Sequence, residues 1–120
     1  MSNKTVYYCN RHKKPFVDGK CPNCSLPRRK QRPVFNGVMN YFPDAIMSIS
    51  HCSYKGNEQH NPGQPLHWSR HKSSDHMDAA ARHMLQYDEI DEDDIPHLTK
   101  AAWRLLAQLQ LMIEEEKLPR

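Results

Sequence analysis

Two pairs of metal-ligand residues near the start of the chain constrain its fold more than any other feature. Cys9-Asn10-Arg11-His12 and Cys21-Pro22-Asn23-Cys24 each hold two ligands three positions apart, with eight residues between the pairs. Ligands so spaced sit on one tight turn and reach a single ion, and Val17-Asp18-Gly19-Lys20 reads as the turn that makes the two knuckles face each other. Three cysteines and one histidine suit a closed tetrahedral Zn²⁺ site in which protein fills all four positions. A closed site leaves no position for substrate, so the expected zinc is structural. Its expected ligands are Cys9, His12, Cys21 and Cys24, and its module spans residues 1–30. A redox role for the Cys-x-x-Cys pair is disfavoured, since no βαβ pattern surrounds it.

Charge divides the chain at the same place. Residues 1–32 carry nine basic side chains against Asp18 alone, a net of +8, while the whole chain is +3 and the remainder therefore −5. That asymmetry marks two functional units. The stretch Pro27-Arg28-Arg29-Lys30-Gln31-Arg32-Pro33 reads as extended, and residues 31–37 as a basic linker. A basic zinc module can contact phosphates, with Tyr7, Tyr8 and Phe16 as stacking surfaces; the alternatives are a solvated positive appendage or contact with an acidic partner.

Residues 38–120 read as an α-helical domain of about three helices, so the fold class is mainly α with a small zinc-ribbon-like module in front. The first helix starts at Pro43 and runs to about Tyr54, and a polar loop entered through Gly56 covers 57–65. The second starts at a Ser73 or Ser74 cap and ends near Tyr87, with Met77, Ala80, Ala81, Met84 and Leu85 on one face. An acidic connection, 88–94, leads to a third helix that begins near Pro96 and continues to about Lys117. Its Leu98, Ala102, Leu105, Leu106, Leu109 and Met112 belong to an apolar stripe too broad for two short helices to cover, which predicts a homodimer.

Polar chemistry is dense in this body. Asp78 and Arg82 are four apart and can pair on a helix surface, while His76 and His83 lie two turns apart along the edge of the apolar face. His97 opens the third helix beside the acidic run. Histidines bordered by carboxylates are what a hydrolytic metal site needs, with oxygen ligands suited to Mg²⁺ or Mn²⁺.

The pattern Asp78-Ala79-x-x-Arg82-His83, an acidic stretch, then His97-Leu98-x-Lys100-Ala101-Ala102-Trp103 resembles a small family found largely in bacteriophages. That family is described as the N-terminal domain of dATP/dGTP diphosphohydrolases. The resemblance spans about residues 38–115 and takes in Pro43-x-Ala45 and Ser53-Tyr54-Lys55-Gly56. It implies a helical protein of nucleotide metabolism that releases pyrophosphate from purine deoxynucleoside triphosphates. The polar positions it implies are Asp78, Arg82, His83 and His97; Lys100 joins them as a candidate to steady phosphate charge, with Mg²⁺ or Mn²⁺ as the expected ion. Two positions depart from the family pattern, which has a glutamate at Ser53 and a second histidine at Lys100. The zinc module lies outside the resemblance.

Uncharged runs are too short to span a bilayer, the longest being 33–43 and 59–69, and Met1-Ser2-Asn3-Lys4 does not open a signal peptide. With Cys52 alone outside the knuckles, no disulfide framework is expected. The expected location is the cytoplasm, that of the host cell if the chain is phage-encoded. The two functions left standing are a metal-dependent nucleotide hydrolase and a non-catalytic zinc protein that engages nucleic acid or a host protein through residues 1–32.

Overall fold

The computed structural model describes residues 5–17, 19, 21 and 28–120. The chain divides into two compact units, residues 1–33 with 119–120, and residues 34–118.

In the first unit, β1 (Val6–Cys9) and β2 (Lys14–Val17) form an antiparallel hairpin with Tyr7 opposite Phe16 and Cys9 opposite Lys14. The connection closes with Lys13 in the left-handed region (φ 55°), its amide donating to the Cys9 carbonyl at 2.8 Å. Tyr7 and Phe16 stack across the strands, 5.5 Å between ring centroids, as a directly opposed aromatic pair should. The expected turn at 17–20 includes Asp18 and Lys20, which lie outside the described residues. Gly19 has a φ of +64°, a conformation that costs glycine nothing. The basic stretch is not fully extended: Arg29–Gln31 form a 3₁₀ turn, and the Gln31 side chain accepts from the Arg28 amide at 3.0 Å.

The second unit opens with a π-helical turn, Phe35–Met39, so the expected linker at 31–37 runs into helical backbone. Helix α1 (Pro43–His60) begins with Pro43 in its first turn, where the missing N–H costs nothing, and with Asp44 beside the positive end of the dipole. It passes straight through Gly56, so the loop expected from that residue starts later. Asn57 explains the extension: its side chain donates to the Gln64 carbonyl at 3.0 Å and accepts from the His67 amide at 3.3 Å, tying the helix end to the following loop. Helix α2 (His76–Met84) is shorter than its periodicity suggested. Its cap position falls on Asp75 rather than Ser73 or Ser74, and the Asp75 carboxylate turns to Arg82 and Arg104 instead of the helix amides. Helix α3 (His97–Glu114) follows Pro96 as expected.

The core is thin. Its buried apolar side chains are Ala79 and Ala80 of α2, Ala101, Ala107 and Leu111 of α3, and Ile95 of the preceding loop at 2% exposure. Small residues at the contact let the two helix axes approach closely. Helix α2 packs against α3 far more extensively than α1 does, and α1 buries no residue fully. Two hydroxyl contacts fasten α1 to α3: Ser48 to Thr99 at 2.6 Å, and the Trp103 indole donating to Ser53 at 2.7 Å. Among the described residues, no helix is long and apolar enough to cross a membrane.

Candidate metal centre

The acidic connection between α2 and α3 is an ordered hairpin-like loop. Its ends are tied by an antiparallel bridge between Ile90 and Pro96, with Asp91 N–H donating to Ile95 O at 3.0 Å and His97 N–H to Glu89 O at 3.1 Å. Asp94 takes the left-handed conformation (φ 64°) that the reversal needs, which a short polar side chain tolerates better than most. Asp93 accepts from the Ile95 amide and Asp91 from the Glu92 amide, at 3.1 and 2.7 Å. Ile95 buried in the core anchors the loop, so the two carboxylates are held over the first turn of α3.

There they meet histidines from both helices. Nδ1 of His83, in the last turn of α2, lies 2.8 Å from Nδ1 of His97, the first residue of α3. Nε2 of His97 faces Asp91 Oδ1 at 3.9 Å. His83, Asp91 and His97 each offer one ligand atom, all within 4.8 Å of one another. Two imidazoles and a carboxylate suit Mn²⁺ or Zn²⁺ better than Mg²⁺, and three protein ligands leave a coordination position open, as catalytic sites do.

Lys100 sits against this group, its ammonium 2.6 Å from Asp91 and 2.8 Å from Asp93. The lysine hydrogen bond holds the Asp91 carboxyl down at about 2. Burial works against the charged Lys100 amine, but its bonds to Asp91 and Asp93 outweigh that and lift its pKa above the ordinary lysine value. Desolvation, with the neighbouring His97 and Lys100, lowers the pKa of His83. A neutral ring is the form that can bind a metal or take a proton.

Of the five candidate catalytic positions, His83, His97 and Lys100 come together. Asp78 and Arg82 do not join them. Asp78 is exposed on α2, and Arg82 pairs at 3.3 Å with Asp75 rather than with Asp78 four residues before it. Asp91 and Asp93 enter the group instead. Sequence reasoning held the whole run 88–94 without distinguishing them; Ile95, the apolar residue inside an acidic stretch, was the available signal for a loop folded back on the core.

A second donor group lies in the first unit. His12 Nδ1 is 3.5 Å from Cys9 Sγ and 3.7 Å from Cys21 Sγ, and both sulfurs are buried. With Zn–S about 2.3 Å and Zn–N about 2.0–2.1 Å, the sulfur–nitrogen edge of a tetrahedral site is about 3.6 Å. The three residues therefore stand at the spacing one tetrahedral ion requires. Cys24, the fourth expected ligand, lies outside the described residues.

A family model described as dATP/dGTP diphosphohydrolase, N-terminal, matches residues 27–119. The chain belongs to this family. No curated protein and no solved structure matches the chain. The diphosphohydrolase N-terminal match contains all of the second unit, and with it His83, Asp91, His97 and Lys100, whereas Cys9, His12 and Cys21 precede it. The Cys/His group is thus an addition in front of the family domain.

Proposed function

We propose that this protein is a divalent-metal-dependent hydrolase that releases pyrophosphate from purine deoxynucleoside triphosphates. The observation that carries the reading is the His83–Asp91–His97 group, lying inside the residues that match the diphosphohydrolase family. His83, Asp91 and His97 would hold Mn²⁺ and, less well, Mg²⁺, an ion that when bound would polarise phosphate oxygens and lower the pKa of water. Water attacks the α-phosphorus, the bond from that phosphorus to the bridging oxygen breaks, and pyrophosphate leaves with the bonding electrons. Lys100, committed to Asp91 and Asp93, positions those carboxylates rather than meeting substrate charge by itself. The loop tip exposes Glu92 and Asp94, which repel bare triphosphate and so favour its metal complex. The test is a pyrophosphate-release assay across all four deoxynucleoside triphosphates with Mn²⁺ or Mg²⁺. Release from dATP and dGTP that is lost in Asp91→Asn supports the reading; no release from any of them sinks it.

The Cys9–His12–Cys21 group supports a structural zinc, with Cys24 as the fourth ligand and a zinc-ribbon-like module built on the hairpin. A second role rests on that module's surface. Tyr7 and Tyr8 are half or more exposed beside exposed Arg11, Lys13 and Lys14, a combination suited to stacking and phosphate contact. On this reading the module brings the enzyme to nucleic acid, and binding falls steeply with salt; salt-insensitive binding would point to a host protein. We place the protein in the cytoplasm, that of the host cell if it is phage-encoded, where thiols stay reduced and nucleotides are made.

A further inference from the structure

Helices α1 and α3 enclose an open cavity of about 280 Å³. Ile49 and Ser53 of α1 line one wall, Trp103, Leu106 and Gln110 of α3 the other, and Trp68 from the intervening loop closes one end. Trp68 and Trp103 meet edge to face, 5.9 Å between centroids. Each indole is fixed. Trp103 is tied to Ser53, and Trp68 lies under the Arg70 guanidinium, 4.6 Å from its centroid, with Arg70 itself held by Glu114 at 2.8 Å.

The geometry points to this cavity as the seat of the nucleotide's purine base. No charged side chain lines it, so neither a phosphate nor an ionised group gains by entering. Its volume sits at the lower limit of ligand pockets, roughly 300 Å³, enough for a fused ring system and too little for a whole nucleotide or a peptide segment. Fixed indoles offer π faces on which a base stacks without an ordering cost. Gln110 supplies the edge contact. Its amide donates one N–H to Glu114 at 2.8 Å, leaving the carbonyl oxygen and the second N–H side by side. A carboxamide held in this way offers both an acceptor and a donor to the edge of a base. Lys100, bordering the metal group, and Trp103 are three residues apart and so neighbours on the surface of α3. Trp103, the first cavity residue on α3, is six residues from His97, about 9 Å along the helix, a distance that the sugar and first phosphate of a nucleotide can span.

This inference takes the identity of the ligand from the hydrolytic reading, but its test needs neither metal nor turnover. Both tryptophans of the chain line the cavity, so intrinsic emission reports on it alone. Titrating metal-free protein with deoxyadenosine, which carries no phosphate, should quench that emission saturably. Deoxycytidine should bind at least roughly tenfold more weakly, a smaller stacking surface being worth less. Gln110→Leu, an exposed site that does not threaten folding, should weaken deoxyadenosine binding several-fold while keeping the quench at saturation. Absence of a saturable quench, equal affinity for the two nucleosides, or an unchanged Gln110→Leu variant would overturn the assignment. Emission that changes with protein concentration and is insensitive to nucleoside would give the cavity to a second copy and overturn it as well. Deoxyadenosine quenching without hydrolysis of dATP would sink the hydrolytic reading and leave the base site standing.

Discussion

Arg104 donates a hydrogen bond to Nδ1 of His76 across 3.2 Å, and that one contact settles the histidine's tautomer. A guanidinium can only donate, so Nδ1 accepts and the ring proton must sit on Nε2. Nε2 is buried and finds no acceptor among the described residues, an arrangement that costs about 1–3 kcal/mol. Burial first, and then the facing guanidinium, lower the His76 pKa, with Asp75 opposing weakly.

The sign of the resulting pH dependence follows. The unfolded chain takes up a proton at His76 near pH 6.5, whereas the folded ring resists until a lower pH. Stability is therefore complete above about 6.5 and declines as the solution is acidified below it. His83, also depressed, adds to the same slope. Chemical denaturation at successive pH values should show this decline in the metal-free protein, and His76→Gln should flatten it. An equally steep decline in the variant would assign the effect elsewhere.

Asp91 and Asp78 separate the metal group from the rest of the polar surface. Asp91→Asn should abolish binding of the catalytic ion and reduce pyrophosphate release by at least roughly a hundredfold, since a ligand should matter more than the outer-shell partners whose loss costs 10–100-fold. Asp78→Asn, on the exposed face of α2, should leave both within about twofold. Calorimetric titration with Mn²⁺ and the release assay check the pair together. Equal damage from both substitutions would bring Asp78 into the site.

Zinc removal should act on the first unit alone. Cys21→Ser should release the ion and unfold the β1–β2 hairpin, because metal supplies most of the folding free energy of so small a module. The helical signal of residues 34–118, which have their own core, should persist. Elemental analysis gives the first half of this result and circular dichroism the second.

The outer face of α3 should join a second copy. Leu98, Leu105 and Leu109 remain 53%, 41% and 48% exposed at spacings of seven and four, an apolar seam that a two-fold axis can pair with itself. Sedimentation of the wild type should give a dimer and Leu105→Asp a monomer. A monomeric wild type at tens of micromolar would leave the seam without this role.

The long apolar helix and the grouping of Cys9, His12 and Cys21 were legible in the sequence because each follows a fixed period or interval. What escaped was tertiary. Gly56 looked like a helix end, and Asn57 bonding across the next loop overrode it. Asp78 and Arg82 had the right interval to pair, yet Arg82 reaches two turns back to Asp75, a carboxylate that also faces Arg104 across the fold. Asp91 could not be told from its acidic neighbours until the bridge between Ile90 and Pro96 showed which carboxylates turn inward. The tryptophan cavity was illegible for a related reason: Trp68 and Trp103 are 35 positions apart.

The attachment of α1 by two hydroxyl contacts has a kinetic meaning. A helix that buries no residue fully gains little from staying docked, so it should separate from α3 without undoing the α2–α3 core. Amide hydrogens of α1 should then exchange with solvent well ahead of those near Ala101 and Ala107. The rate at which a ligand enters or leaves the tryptophan cavity would be bounded by that same opening, and Ser48→Ala, which removes one of the two contacts, should quicken both processes together.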